Sequence, residues 1–108
     1  MTRRALGVRD HYEAHELQTY GRPWSLQDLM LGLVGDVGDL AKLVQAHEGV
    51  REIANAQAAL EHELGDVLWS VIVIADRCGV DLEIAFSRTM DAVADALARS
   101  APIDIDRS

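Results

Sequence analysis

Cysteine is almost absent from this 108-residue sequence: Cys78 stands alone. No internal disulfide can form, and a zinc site built on several cysteines is excluded. At the end of an apolar run, Cys78 is expected to be a small core hydrophobe. Proline occurs twice, at Pro23 and Pro102, which leaves the interior almost free of helix breakers. No Asn-Gly or Asp-Gly pair sits between alternating runs, so the β-hairpin signal is missing. The longest apolar stretch, Val71 to Ala75, is far too short to span a bilayer. The first residues, Met1 to Gly7, hold no apolar segment of secretory length. A soluble cytoplasmic protein is the expectation. Basic charge is scarce too: 10 Lys and Arg stand against 18 Asp and Glu, a formal net charge of −8. Binding to nucleic acid or an anionic membrane by charge attraction is therefore disfavoured. A polyphosphate stays open as a partner, provided a metal bridges the two sets of negative charge.

What is present is helical. Hydrophobic residues make up 49% of the chain, enough for a core, and the length fits one domain over 1–108. Four helices are predicted. The first runs from Arg3 to Tyr20, is weakly amphipathic through Leu6, Ala14 and Leu17, and stops at Gly21-Arg22-Pro23. Ser25 is a good N-cap with Asp28 in the capping-box position. The second helix then runs to about His47, with Leu26, Leu29, Leu33, Val37, Leu40 and Val44 as its apolar seam. The third spans about Ile53 to Cys78, with Ile53, Leu60, Leu64, Val67, Leu68, Val71 and Ala75 inward, and Gly79 ends it. Asp81 caps the fourth, Leu82 to about Arg99, and Pro102 with the polar tail ends the fold.

The third helix is apolar nearly all round between Val67 and Ala75, with Trp69, Ile72 and Val73 off the seam. Such a helix must be covered on every side. The expected cover is a second subunit, so that oligomerisation completes the bundle; the other candidate is the first helix wrapping round.

The acids are not scattered at random. Asp36 and Asp39 lie three apart on the second helix, and Glu63 and Asp66 three apart on the third, so each pair forms one surface patch. Relative to the seams, Asp36 and Asp39 fall about 60° and about 120° to one side, and Glu63 and Asp66 about 70° and about 130° to the same side. The short turn between the helices makes them an antiparallel hairpin packed seam to seam. Both pairs lie roughly ten residues from that turn, about 15 Å along the axis. Four carboxylates are thus expected in one groove, where protons or cations must neutralise them. Oxygen ligands without His or Cys select Mg²⁺ or Mn²⁺ over zinc. The plainer account of either pair alone is solvated acid on a helix shoulder.

Two runs resemble a known family. Leu33-Val34-Gly35-Asp36-Val37-Gly38-Asp39-Leu40 resembles the Glu-Glu-x-x-Glu segment of MazG-like nucleotide pyrophosphohydrolases, and Glu63-Leu64-Gly65-Asp66-Val67-Leu68-Trp69 resembles their Glu-x-x-Asp motif, including the Gly and the aromatic. Gly79-Val80-Asp81-Leu82-Glu83 is similar to the turn into their last helix. The resemblance covers about residues 10 to 98. It implies an all-α, four-helix fold that assembles as a homodimer or homotetramer. The implied reaction is metal-dependent hydrolysis of a nucleoside triphosphate to the monophosphate and pyrophosphate. By position, Asp36, Asp39, Glu63 and Asp66 take the metal-ligand places, with Mg²⁺ or Mn²⁺ as the ion. The departures are Gly35 where the first Glu of the doublet stands, and Asp at both remaining Glu positions. No Asn appears around Ser87-Arg88-Thr89-Met90, where many members hold phosphates; Arg88 and Lys42 are the substitutes, and each also reads as a surface charge, Lys42 pairing with Asp39. Gly32, Gly35 and Gly38 are expected to let a neighbouring helix approach and restore the reach that Asp loses. Trp69 reads either as a base-stacking residue or as an interface residue, and Trp24 as a hydrophobic staple or a cover over the nucleotide. The competing reading of the whole chain is a catalytically degenerate acidic helical oligomer with an assembly or regulatory role.

Other signals carry less. His11 and His15 share a helix face but find no third ligand. His62-Glu63 lacks the second histidine of the zinc-protease helix, Asp66 standing in its place. Gly32-x-x-Gly35-x-x-Gly38 lacks the Gly-Lys-Ser/Thr of a phosphate loop.

Overall fold

A computed structural model describes residues 1–100; the expected end of the fold at Pro102 and the tail lies outside the described residues. Four helices follow one another with no strand among the described residues: α1 (Thr2–Tyr20), α2 (Leu26–His47), α3 (Ala56–Arg77) and α4 (Leu82–Ser100). The all-α expectation holds.

The boundaries come from local chemistry. Gly21, in the left-handed region at φ 80°, ends α1 with its N–H on the Leu17 carbonyl. Ser25 and Asp28 form the full capping box: Asp28 N–H donates to Ser25 Oγ at 3.1 Å and Ser25 N–H to Asp28 Oδ2 at 2.9 Å. Gly79, at φ 71°, turns the chain after α3. Asp81 Oδ1 then accepts from Ile84 N–H at 3.1 Å and starts α4. One boundary differs: α3 begins at Ala56, not near Ile53, because Asn55 takes the left-handed conformation at φ 54° just before it.

Helices α2 and α3 pack along each other and form the centre of the fold. The chain reverses between them, so Arg77 at the end of α3 donates to the Trp24 carbonyl just before α2, at 3.4 Å. Leu29 and Leu43 of α2 and Ile72, Val73 and Ala75 of α3 form the core, and Val73 is fully buried. Helix α1 lies against α3. Arg9 bridges to Asp76 at 2.8 Å, and Trp69 donates its indole N–H to the Ala5 carbonyl at 3.0 Å.

Packing within the chain differs from expectation at three places. Ile72 and Val73, placed off the seam, are buried within one chain, and Trp69 sits against α1 through Ala5 and the Tyr12 ring, 5.3 Å away between centroids. The first helix thus takes part of the cover assigned to a second subunit. Leu64 and Leu68, placed on the inner seam, are exposed instead, Leu64 by 51%. Cys78 is also exposed rather than in the core, because it follows the last residue of α3 where the chain leaves the packed region.

Helix α4 touches little except α3 and buries no residue, while Phe86, Met90, Val93 and Leu97 stand exposed along it. The radius of gyration is 18.5 Å, against about 13 Å for a closed globule of this length. Helix α4, in contact with α3 alone, adds to that open shape. No described helix is long and apolar enough to cross a membrane.

Candidate metal centre and adjoining cavity

The three-residue spacings act as expected on their own helices. Asp36 and Asp39 project from α2 toward Glu63 of α3, and the three offer carboxylate oxygens that all lie within 4.8 Å of one another. Asp66 does not join that group. Its Oδ2 lies 3.2 Å from His62 Nε2, one turn back on α3. Asp66 lines the neighbouring cavity instead, as does Asp36.

Glu63 is the strained member. Its Oε2 is buried and has no hydrogen-bond donor among the described residues. Burial, followed by the charges of Asp36 and Asp66, pushes its carboxyl above the ordinary value, and a hydrogen bond to Asp36 and the charge of Asp39 add to that. A buried carboxylate oxygen left without a donor costs free energy, and a cation removes that cost directly. Three hard oxygen donors at this spacing, one of them buried and unsatisfied, fit a small divalent cation such as Mg²⁺ or Mn²⁺. The Asp residues therefore reach the cluster without help from close helix packing. A Cβ at Gly35 or Gly38 would meet nothing within 4 Å, which removes the proposed role of these glycines inside one chain.

Beside the acids, α1, α2 and α3 enclose a cavity of about 470 Å³. Tyr12, Glu16, Tyr20, Trp24 and Trp69 line it together with Asp36 and Asp66. Its size matches small-molecule sites, and the rings of Tyr12, Tyr20, Trp24 and Trp69 stand in its wall. Trp69 is thus both an intramolecular contact and a cavity wall. Trp24 lies over Gly32, where an added Cβ would come within 4.0 Å of its ring. Lys42 and Arg88 are exposed, neither lines the cavity, and Lys42 makes no ion pair with Asp39 among the described residues.

Sequence reasoning missed the α1 wall. Tyr12, Glu16 and Tyr20 recur at intervals of four, a helical face that the weak apolar pattern of α1 concealed because its inward side is aromatic and polar.

A helical hairpin that gathers acids beside an aromatic cavity defines a class, and the sequence comparisons assign it. The chain belongs to the MazG nucleotide pyrophosphohydrolase domain family, whose model matches residues 25–102. Among curated proteins it is similar to dCTP pyrophosphatase 1 of Homo sapiens and of Rattus norvegicus, 41% identical over 70 residues, and to that of Bos taurus, 40% identical over 70. The match takes in 60% of this chain and 41% of each relative's length.

Proposed function

We propose that the chain is a divalent-metal-dependent nucleoside triphosphate pyrophosphohydrolase, releasing the monophosphate and pyrophosphate, and that it works as a homo-oligomer. The observation that carries this reading is the Asp36, Asp39 and Glu63 cluster, with Glu63 Oε2 buried and unpartnered, at the edge of a cavity large enough for a nucleotide base. The relatives' name makes dCTP the first substrate to test.

In this reading Asp36, Asp39 and Glu63 hold Mg²⁺ or Mn²⁺, and Asp66 completes the acidic rim on the cavity side. Held by these residues, a divalent cation would supply charge neutralisation at the phosphate oxygens and a lower pKa for the attacking water. The chain's own contribution is positional. Tyr12, Trp24 and Trp69 offer flat faces for the base and keep water from it, which sets the triphosphate against the acids. A carboxylate of the acidic cluster takes the proton from the water as it attacks phosphorus and pyrophosphate departs. Lys42 and Arg88 are the cations assigned to the triphosphate. The exposed apolar face of α4 and the open shape of the chain support assembly with a second copy.

A non-catalytic acidic helical module is the competing reading, and it rests on Gly35 standing where the family carries the first Glu of its doublet. One experiment separates the two: melting of the protein against Mg²⁺ concentration, followed by pyrophosphate release from dCTP and the other common triphosphates. A metal that binds only the folded chain raises the melting temperature with its concentration. A rise that disappears in Glu63→Gln, with metal-dependent pyrophosphate release, supports the enzyme. Failure of both selects the module.

A further inference from the structure

Glu16 is the most deeply buried acid among the described residues, 6% exposed, and it lies outside the acidic cluster. Its Oε1 accepts the Trp24 backbone N–H at 2.7 Å. No other described residue donates to it, and no Lys, Arg or His pairs with it. A carboxylate has about four lone-pair sites, so one N–H leaves most of its accepting capacity free for a ligand. Glu16 also lines the aromatic cavity, with Tyr12, Tyr20, Trp24 and Trp69 around it and Asp36 and Asp66 also on the lining. That unused capacity is available to a donor on whatever fills the cavity.

We propose that Glu16 is a specificity residue: it accepts an N–H from the exocyclic amino group of the substrate base, selecting cytosine or adenine over bases with a carbonyl at the same ring position. This rests on the preceding reading, that a nucleotide base enters the cavity. A 4-amino pyrimidine or 6-amino purine places a donor on the carboxylate. Uracil, thymine or hypoxanthine places a carbonyl lone pair there, and two acceptors face each other. Sites built to satisfy a polar group reject the analogue that lacks the matching partner far more strongly than apolar pockets reject a missing methylene.

The test is Glu16→Gln. Its amide oxygen can still accept from Trp24 N–H, so the link between α1 and the start of α2 is kept, while the other oxygen becomes an NH₂ donor. Steady-state kcat/KM would be measured for dCTP against dUTP and for dATP against dITP, at saturating Mg²⁺, beside the melting temperature. The expected result is a fall of about tenfold or more in the amino-to-carbonyl preference of whichever pair is turned over, with melting nearly unchanged. A structural role alone would move both members of a pair together, and an unmoved ratio overturns the proposal. If the variant does not fold, the wild type decides. The 2-pyrimidinone nucleotide, with hydrogen in place of the cytosine amino group, must lose about tenfold against dCTP, and equal turnover overturns the assignment. If the wild type hydrolyses none of these, the pyrophosphohydrolase reading has failed by itself. The proposal is then judged by metal-free melting with millimolar deoxycytidine and deoxyuridine: stabilisation by the first alone supports it, and equal or absent shifts overturn it.

Discussion

Helices α1 and α4 have the same length, 19 residues, and flank the same hairpin, yet they behave in opposite ways. Helix α1 has almost no apolar stripe, but it is fixed to α3 by the Trp69 indole on Ala5 and by the Arg9–Asp76 bridge, and to the start of α2 through Glu16 and Trp24. Helix α4 has the clear stripe of Phe86, Met90, Val93 and Leu97, but covers nothing; Phe86 is 63% exposed. An apolar stripe records that a helix needs a partner, and polar anchors record which one it has within the chain. The stripe of α4 is left without cover inside the chain, as the proposed assembly with a second copy requires, while the mixed face of α1 belongs to the chain's own cavity.

The largest expected effect tests whether the chemistry belongs to the hairpin between them. Glu63→Gln should lower metal-dependent turnover by on the order of 10²–10³, comparable to removing one preorganised electrostatic group from an active site. An undiminished rate, measured as pyrophosphate release, removes Glu63 from the site. The same substitution should raise the melting temperature of the metal-free protein at neutral pH. Burial and the nearby carboxylates raise the folded-state pKa of Glu63, so the folded chain binds the extra proton and loses stability as pH rises through that window. The gain from Gln should shrink as pH is lowered, and a gain independent of pH would assign it to packing.

Next in size is truncation on the α1 side. Trp69→Ala removes an indole held between α1 and α3 and should cost roughly 3 kcal/mol, at the low end for a Trp because the ring is only partly buried. Chemical denaturation reads this directly. A cost within about 0.5 kcal/mol, the range of ordinary surface changes, would mean that α1 is not docked as described.

The matching change on the other side is Val93→Asp. It should leave the chain folded but lower the solution mass to that of one copy, and with it abolish the dependence of melting on protein concentration. An unchanged mass would break the comparison, because the apolar stripe of α4 would then have no role in assembly.

How much of this was legible beforehand follows the same division. Features set by neighbours in sequence were readable: the Ser25–Asp28 box, the stops at Gly21 and Gly79, the Asp81 cap, and the approach of Asp36, Asp39 and Glu63, which needs only helical spacing and a hairpin. Features set by a third element were not. Angular offsets placed Asp66 with the other acids, but its side chain turns to His62 and the cavity. Leu64 and Val73 are equally apolar, and only the position of the neighbouring helices decides that Val73 is buried. Glu16 was invisible for the same reason, since a glutamate on a weakly patterned helix is expected in water. The MazG-like motifs identified the family, yet they lie on the hairpin and say nothing of the α1 wall.

The smallest effect sits at the junction where α1 hands over to the hairpin. Asp28 accepts from the Ser25 N–H at 2.9 Å and from Arg22 at 3.0 Å. Those two contacts, the backbone one first, and the Ser25 hydroxyl hold its carboxyl below the ordinary value. A depressed folded-state pKa means that the unfolded chain takes up the proton first as pH falls. The stabilisation is therefore complete above the unfolded pKa and is lost as pH drops through the folded one. Asp28→Asn keeps an acceptor oxygen for the capping box but gives up the charge, so it should lower the melting temperature slightly at neutral pH and not at all once the wild-type carboxyl is protonated. High salt should shrink the neutral-pH difference, since the Arg22 contact is exposed. If the difference persists unchanged at acid pH, the cap matters through its shape alone, and the entry to α2 is fixed by the Trp24–Glu16 bond rather than by charge.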